Sequence, residues 1–281
     1  VKPGVIGGEW FRLHGRGSNV QTIQSVERAF NLLEVLARHP EGIGVTDLAR
    51  KVGLNKTTAY RLLATMQGLG YVRRSQAGSN YTLGWRIADL ASFLLEGTEL
   101  IFIAREPLRK LSRLTREAVH LGVLEGNEVV YVSKIESPQP IRIASRVGGR
   151  MPVHCTALGK SILSHLPRRR AEEILRRGPL TQRTALTKTD PKLILQDLDE
   201  IRDRGHALDA GENEKGILCI GAPIFDNSGT PVAAVSISGP GFRLTEDVVN
   251  EMAAHVEDCA REISEGLGYD RENLRTLSGS S

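Results

Sequence analysis

The chain has 281 residues, 40% of them hydrophobic and 25% charged, with a net charge of +4. This is an ordinary globular composition, long enough for one or two domains. No apolar run approaches the ~18–20 residues a membrane span needs, so no membrane partner is expected. The three cysteines are far apart and lack CxxC spacing, which argues against a zinc ribbon or disulfide framework and for a reduced, cytoplasmic setting.

Residues 1–22 read as a flexible leader, rich in glycine and without the apolar segment of a signal peptide. Charge is unevenly spread. Residues 20–84 carry eight basic and four acidic side chains, whereas everything beyond 84 sums to −2. A basic first third on a slightly acidic body suggests that one segment faces a polyanion. The first predicted helix runs from Ser25, as its cap, to Arg38, with Val26, Ala29, Phe30, Leu32, Leu33 and Leu36 as its apolar stripe. Pro40-Glu41-Gly42 breaks the chain. A second helix spans Thr46–Val52, capped by Thr46, and Gly53 supplies the turn after it. Asn55 caps a third helix from Lys56 to Gln67. Tyr71–Arg74 and Tyr81–Leu83 then read as a β-hairpin, followed by a helix from Trp85 to Leu95.

The remainder alternates between the two structure types. Helices are predicted near Ile103–Arg116, Thr156–Leu166, Arg168–Arg176, Pro191–Arg204 and Thr245–Leu267. Strands are predicted at Ala118–Leu124, Glu128–Ile135, Ile141–Ile143, Ile217–Phe225 and Val232–Ser238. The polar stretch 269–281 reads as a disordered tail.

Helices two and three, with their short glycine turn, have helix-turn-helix spacing, and the hairpin after them would be a wing. Lys56, Thr57, Thr58, Tyr60 and Arg61 populate the leading part of the third helix, the part that enters a major groove in such motifs. The threonines can bond bases or phosphates, and Arg61 can fork onto guanine or clamp a phosphate. Arg73 and Arg74 border the wing, where positioning on the backbone is their natural role. Thr46 joins this set as a candidate DNA contact. From the residues alone a protein-interaction module stays open, and Tyr60 fits the core as well as it fits a contact.

Several segments resemble the isocitrate-lyase-regulator (IclR) family of bacterial transcription factors over roughly Gln24 to Gly268. They include Leu54-Asn55-Lys56-Thr57-Thr58-Ala59-Tyr60-Arg61-Leu62-Leu63, the run from Gly148 to Lys160, Arg204-Gly205-His206-Ala207-Leu208-Asp209-Ala210-Gly211-Glu212, and Ser236-Ile237-Ser238-Gly239-Pro240. The resemblance implies an α+β chain with a winged helix-turn-helix domain at 23–84, a connecting helix at 85–97 and a GAF-like effector-binding domain at 98–268. It also implies a homodimer or homotetramer on palindromic double-stranded operator DNA. The expected function is a ligand-responsive regulator, acting as a repressor, without cofactor or metal and not an enzyme. A small-molecule enzyme fused to a DNA-binding module is the alternative.

The amides of Ala157 and Leu158 would open a helix, an arrangement that favours a carboxylate. Ser236 and Ser238 share one strand face, as do Ile217 and Cys219. By similarity to the family's pocket, Ala157, Leu158, Asp209, Ile217, Cys219, Ser236 and Ser238 are the expected contacts of a small organic acid effector. Each also has a plainer reading: Cys219 as core, the serines as partners of buried backbone, Asp209 as half of an arginine pair. His154 beside Cys155 invites a nucleophile or redox reading, but neighbours on an extended chain point apart.

Overall fold

A computed structural model describes residues 22–75, 80–96, 99–140 and 143–270, and the chain divides between 97 and 98 into two compact units. The expected leader and tail fall outside the described residues apart from Thr22, Tyr269 and Asp270, as do the hairpin tip and most of the strand expected at 141–143.

The first unit runs α1 (Gln24–Ala37), β1 (Ile43–Gly44), α2 (Val45–Lys51), α3 (Lys56–Gly68), β2 (Val72–Arg74), β3 (Asn80–Leu83) and α4 (Arg86–Glu96). Its three strands form an antiparallel sheet in the order β1-β3-β2. Leu32, Leu36, Leu48, Leu63 and Tyr81 pack as its core. Gly53 turns the chain between α2 and α3 at φ +68°, a left-handed conformation that costs a residue with a Cβ. Asn55 Oδ1 accepts the Thr58 N–H at 2.8 Å and so caps α3. The unit is a winged helix-turn-helix.

Three local expectations change. Ser25 lies inside α1, whose cap position is Ile23. Thr46 is likewise inside α2, because β1 delivers an extended chain and Gly44 takes the cap position. The apolar stripe of α1 is split: Leu32, Val35 and Leu36 are buried, while Val26 and Phe30 are 49% and 62% exposed.

The second unit runs α5 (Glu99–Thr115), β4 (Ala118–Glu125), β5 (Glu128–Ile135), β6 (Arg150–Pro152), α6 (Ala157–His165), α7 (Arg168–Arg176), α8 (Pro191–Arg204), β7 (Ala207–Ala210), β8 (Ile217–Phe225), β9 (Pro231–Pro240) and α9 (Glu246–Gly266). The six strands make one antiparallel sheet in the order β6-β5-β4-β9-β8-β7. Side chains alternate across it. Val119, Leu121, Ile220, Val235 and Ile237 face a core shared with α5 and α9. Val129, Ala207 and Ala234 face the other way, into a core built with α6, α7 and α8. The strand β7 covers β8 only from Leu218 to Gly221. Beyond it, Pro223 has no N–H to offer, and the Phe225 N–H is taken by Ser264 Oγ of α9 at 3.0 Å. Among the described residues no helix is long and apolar enough to cross a membrane.

Candidate functional sites

In the first unit, α3 divides into two faces. Ala59, Leu63 and Met66 are buried, whereas Lys56, Thr57, Tyr60 and Arg61 are exposed and Thr58 is half-buried. Tyr60, which the sequence left between core and contact, is 50% exposed. The Arg61 guanidinium has no carboxylate within ion-pair distance among the described residues. Thr46 is exposed on α2. Arg73 and Arg74 are exposed neighbours on β2, so they point to opposite faces of the small sheet. Arg73 Nε donates to Thr82 Oγ1 at 3.2 Å, and its guanidinium sits 5.4 Å from the ring centre of Trp85. Arg74 Nη2 donates to the Tyr81 hydroxyl at 2.9 Å. The surface of α3 is thus a row of solvated donors with one unpaired fork, fitted to phosphate and base edges.

In the second unit, strand register aligns the polar residues. Asp209 pairs with Cys219, Cys219 with Ser238, and Ser238 with Ala118, making one row across four strands. The next row on the same face runs Ala207, Gly221, Ser236, His120 and Lys134. Helix α6 comes down on this face. A Cβ at Gly221 would lie 2.9 Å from the carbonyl of Ala157, so the close approach of the helix requires glycine there. Thr156 Oγ1 accepts the Gly159 N–H at 3.2 Å, capping α6. No protein acceptor among the described residues takes the N–H groups of Ala157 and Leu158. The seven expected effector residues therefore share one face: Ala157 and Leu158 at the helix start, Ile217 and Cys219 on β8, Ser236 and Ser238 on β9, and Asp209 on β7. The Leu158 side chain itself packs into the α6 core.

Burial sets the charge state of this face. It pushes His120 down to about 4, with Lys134 adding to the effect, so the ring is neutral near pH 7. Nε2 of that ring lies 2.7 Å from Ser145 Oγ, and the ring centre is 4.9 Å from that of Tyr131. Burial raises the Tyr131 hydroxyl and the Cys219 thiol, so both keep their protons. It also lifts Asp209 to about 6, against the hydrogen bonds its carboxylate accepts from Asn213 and Glu212. Among the described residues no arginine pairs with Asp209; its Oδ1 accepts the N–H groups of Glu212 and Asn213 at 2.8 and 3.2 Å.

His154 and Cys155 do not form a nucleophilic pair. His154 Nε2 lies 3.2 Å from the Thr181 carbonyl, and burial raises the Cys155 thiol to about 12, far from thiolate chemistry. Three polar residues of this region, His120, Tyr131 and Asn213, carry no signal in the sequence, and Glu212 enters there only as the end of a family-like segment. Only the strand register that sets His120 opposite Ser236, and the loop bonds to Asp209, bring them in.

Comparison with known proteins agrees with this geometry. Residues 25–76 match the family model described as the IclR helix-turn-helix domain, and residues 92–265 match that of the bacterial transcriptional regulator IclR C-terminal region. The chain is 38% identical over 248 residues to the HTH-type transcriptional regulator KdgR of Dickeya chrysanthemi, covering 88% of this chain and 81% of that one. Among solved structures, the IclR of Thermotoga maritima superposes with a TM-score of 0.77 at 35% identity, over 88% of this chain and 100% of its own. An IclR homolog from Microbacterium hydrocarbonoxydans, solved in complex with 4-hydroxybenzoate, gives a TM-score of 0.75 at 26% identity, over 87% of this chain and 99% of its own.

Proposed function

Because this chain belongs to the IclR family of bacterial transcriptional regulators, we propose that it represses transcription from palindromic operators and that a small organic acid modulates its grip on them. The family is one of DNA-binding regulators and not of enzymes. In this reading residues 23–84 bind DNA, 85–97 connect, and 98–268 hold the effector. Lys56, Thr57, Thr58, Tyr60 and Arg61 enter the major groove, with Thr46, Arg73 and Arg74 on flanking backbone. The observation that carries it is the exposed leading half of α3 with Arg61 unpaired.

The effector part rests on the free amides at the start of α6, a helix that packs on the sheet face carrying the Asp209–Cys219–Ser238 row, and on the 4-hydroxybenzoate held by the Microbacterium relative. Amides at a helix start favour a carboxylate. Exposed Val26, Phe30, Trp85, Leu90 and Phe93 support self-association of the first unit, and work on operators places the protein in the cytoplasm. Differential ligand affinity for two arrangements of the assembly then shifts operator affinity by about 5–150-fold, a coupling of roughly 1–3 kcal/mol.

A gel shift on DNA upstream of its own gene, at 50 and 200 mM salt, tests the first half. Release of counterions makes specific binding weaken steeply with salt. Absence of any sequence-preferring complex at the lower salt rejects the reading.

A further inference from the structure

A cavity of about 460 Å³, the size of a small-ligand site, lies in the second unit at the opposite end of α6 from Ala157. His165, the last residue of α6, lines it. The cavity opens where β7 stops: Ala222, Pro223 and Phe225 lie beyond Gly221, where the pairing of β7 with β8 ends. Pro223 and Phe225 offer no N–H at this edge, so side chains make the recognition.

The walls are tied together. Arg202 Nε donates to the Ser164 carbonyl at 2.5 Å and its Nη2 to the Leu166 carbonyl at 3.1 Å, which fastens α8 to the end of α6. His206 Nδ1 lies 2.7 Å from Glu257 Oε1, which fastens the start of β7 to α9. The floor is apolar and carries rings. Ala222, Pro223 and Ala260 are buried. The Phe225 ring stacks on Tyr269 with centres 5.0 Å apart, and meets His165 edge-on at 5.2 Å.

The rim carries three cations, Arg202, Arg204 and Arg261, and three carboxylates, Asp203, Glu257 and Glu265. The protein itself engages one of each: Arg261 pairs with Asp258, and Glu257 bonds His206. Arg202 and Arg204 donate to backbone carbonyls, and among the described residues neither has a carboxylate within ion-pair distance. Asp203 and Glu265 likewise have no cation at that distance among the described residues. Two guanidinium groups and two carboxylates therefore stand unmatched around an apolar, aromatic floor. An anionic ligand answers only the first pair, and a cationic one only the second. A zwitterion answers both, and a flat apolar body answers the floor. We infer that the cavity binds a free aromatic α-amino acid. Its carboxylate lies on Arg202 and Arg204, its ammonium on Asp203 and Glu265, and its ring against Phe225 and Tyr269. This is a second small-molecule input, separate from the effector face.

Calorimetry and thermal melting of the full chain with L-phenylalanine test this. The analogues are 3-phenylpropionate, which lacks the ammonium, 2-phenylethylamine, which lacks the carboxylate, and L-alanine, which lacks the ring. Each is expected to bind about tenfold to a hundredfold more weakly than L-phenylalanine. Arg204 and Glu265 are exposed, so Arg204→Gln and Glu265→Gln test the site without disturbing a core. Each is expected to weaken L-phenylalanine about tenfold. 3-Phenylpropionate is also an organic acid that the effector face would take, so it is measured in Arg204→Gln as well, and only the affinity lost there belongs to this cavity. L-Phenylalanine binding that neither variant changes, or that Ser238→Ala lowers, puts the amino acid elsewhere and overturns the proposal. Equal binding of either single-charge analogue at the Arg204-dependent site overturns it too, as does no binding of L-phenylalanine. None of these outcomes touches the organic-acid reading of the other face.

Discussion

In the winged unit the residues proposed to meet DNA stand in water: Lys56, Thr57 and Arg61 are exposed on a helix whose other face is core. In the second unit most of the residues proposed to meet the effector are sealed: Asp209, Ser236 and Ser238 are at most 5% exposed, and His120 beside them is 1% exposed, with Ile217 and Cys219 half-buried. The contrast follows from the ligands. A polyanion is met by solvated cations that lose little water until the complex forms. A small molecule enclosed by protein is met by groups that burial has already made neutral or already paired. The first kind of site shows itself as surface charge, the second as polar residues where apolar ones are expected.

Substitutions that act on one unit alone would sharpen that contrast. The largest effect is expected at Gly221→Val, which drives a side chain into the backbone of Ala157. Melting should register a loss of about 1–3 kcal/mol from overpacking, and the effector response should vanish while operator binding persists. Loss of DNA binding as well would mean the two sites are not separable. Next in size, Arg61→Ala should weaken operator binding by about tenfold to a hundredfold, the value of one good base contact, with an unchanged melting curve. Unchanged affinity in a gel shift would take Arg61 out of the groove.

The buried site should also respond to pH in a way the exposed one does not. Burial lifts Asp209 to about 6, above its value of roughly 3.9 in the unfolded chain. Between these values the folded chain holds a proton that the unfolded chain has lost. Stability therefore falls as pH rises through that window and is flat above it. Asp209→Asn should abolish the fall and stabilise the chain at pH 7 by on the order of 2 kcal/mol, read from urea melts at pH 5 and 7.5. Equal slopes in both proteins would contradict the raised value.

Smaller again, Asn55→Ala should cost about 1 kcal/mol by uncapping α3, visible as a lower midpoint of the winged unit. The smallest expected effect is none: Cys155 and Cys259 are buried, with thiols pushed up to about 12, so iodoacetamide at pH 7.5 should leave both unmodified until the chain unfolds. Rapid labelling of either in the native protein would show that the second unit opens.

Legibility in the sequence varied for local physical reasons. The limits of α8 were readable to the residue because Asp190 caps it, Pro191 opens it and Gly205 closes it at φ +93°. The strands β1, β6 and β7 are two to four residues long, too short for an alternation of period two to declare itself. Thr46 was misread as a cap because nothing local says that Ile43-Gly44 pairs with β3. The set Ala157, Asp209, Cys219, Ser236 and Ser238 came from family resemblance. No spacing rule places Asp209 in one row with Ser238, an alignment that needs Cys219 of β8 between them. His120 was invisible for the same reason: its neighbours belong to β9 and β5, more than ten residues away in the chain.

Ser264 does for the end of β8 what another strand would otherwise do. Its hydroxyl accepts the Phe225 amide, and Pro223, two residues before, has no amide to leave bare. An uncovered strand edge is a template on which separate molecules join sheet to sheet and grow into fibrils. A single alcohol on a neighbouring helix thus leaves no bare amide at Phe225 on which a second chain could start, a duty unrelated to either ligand.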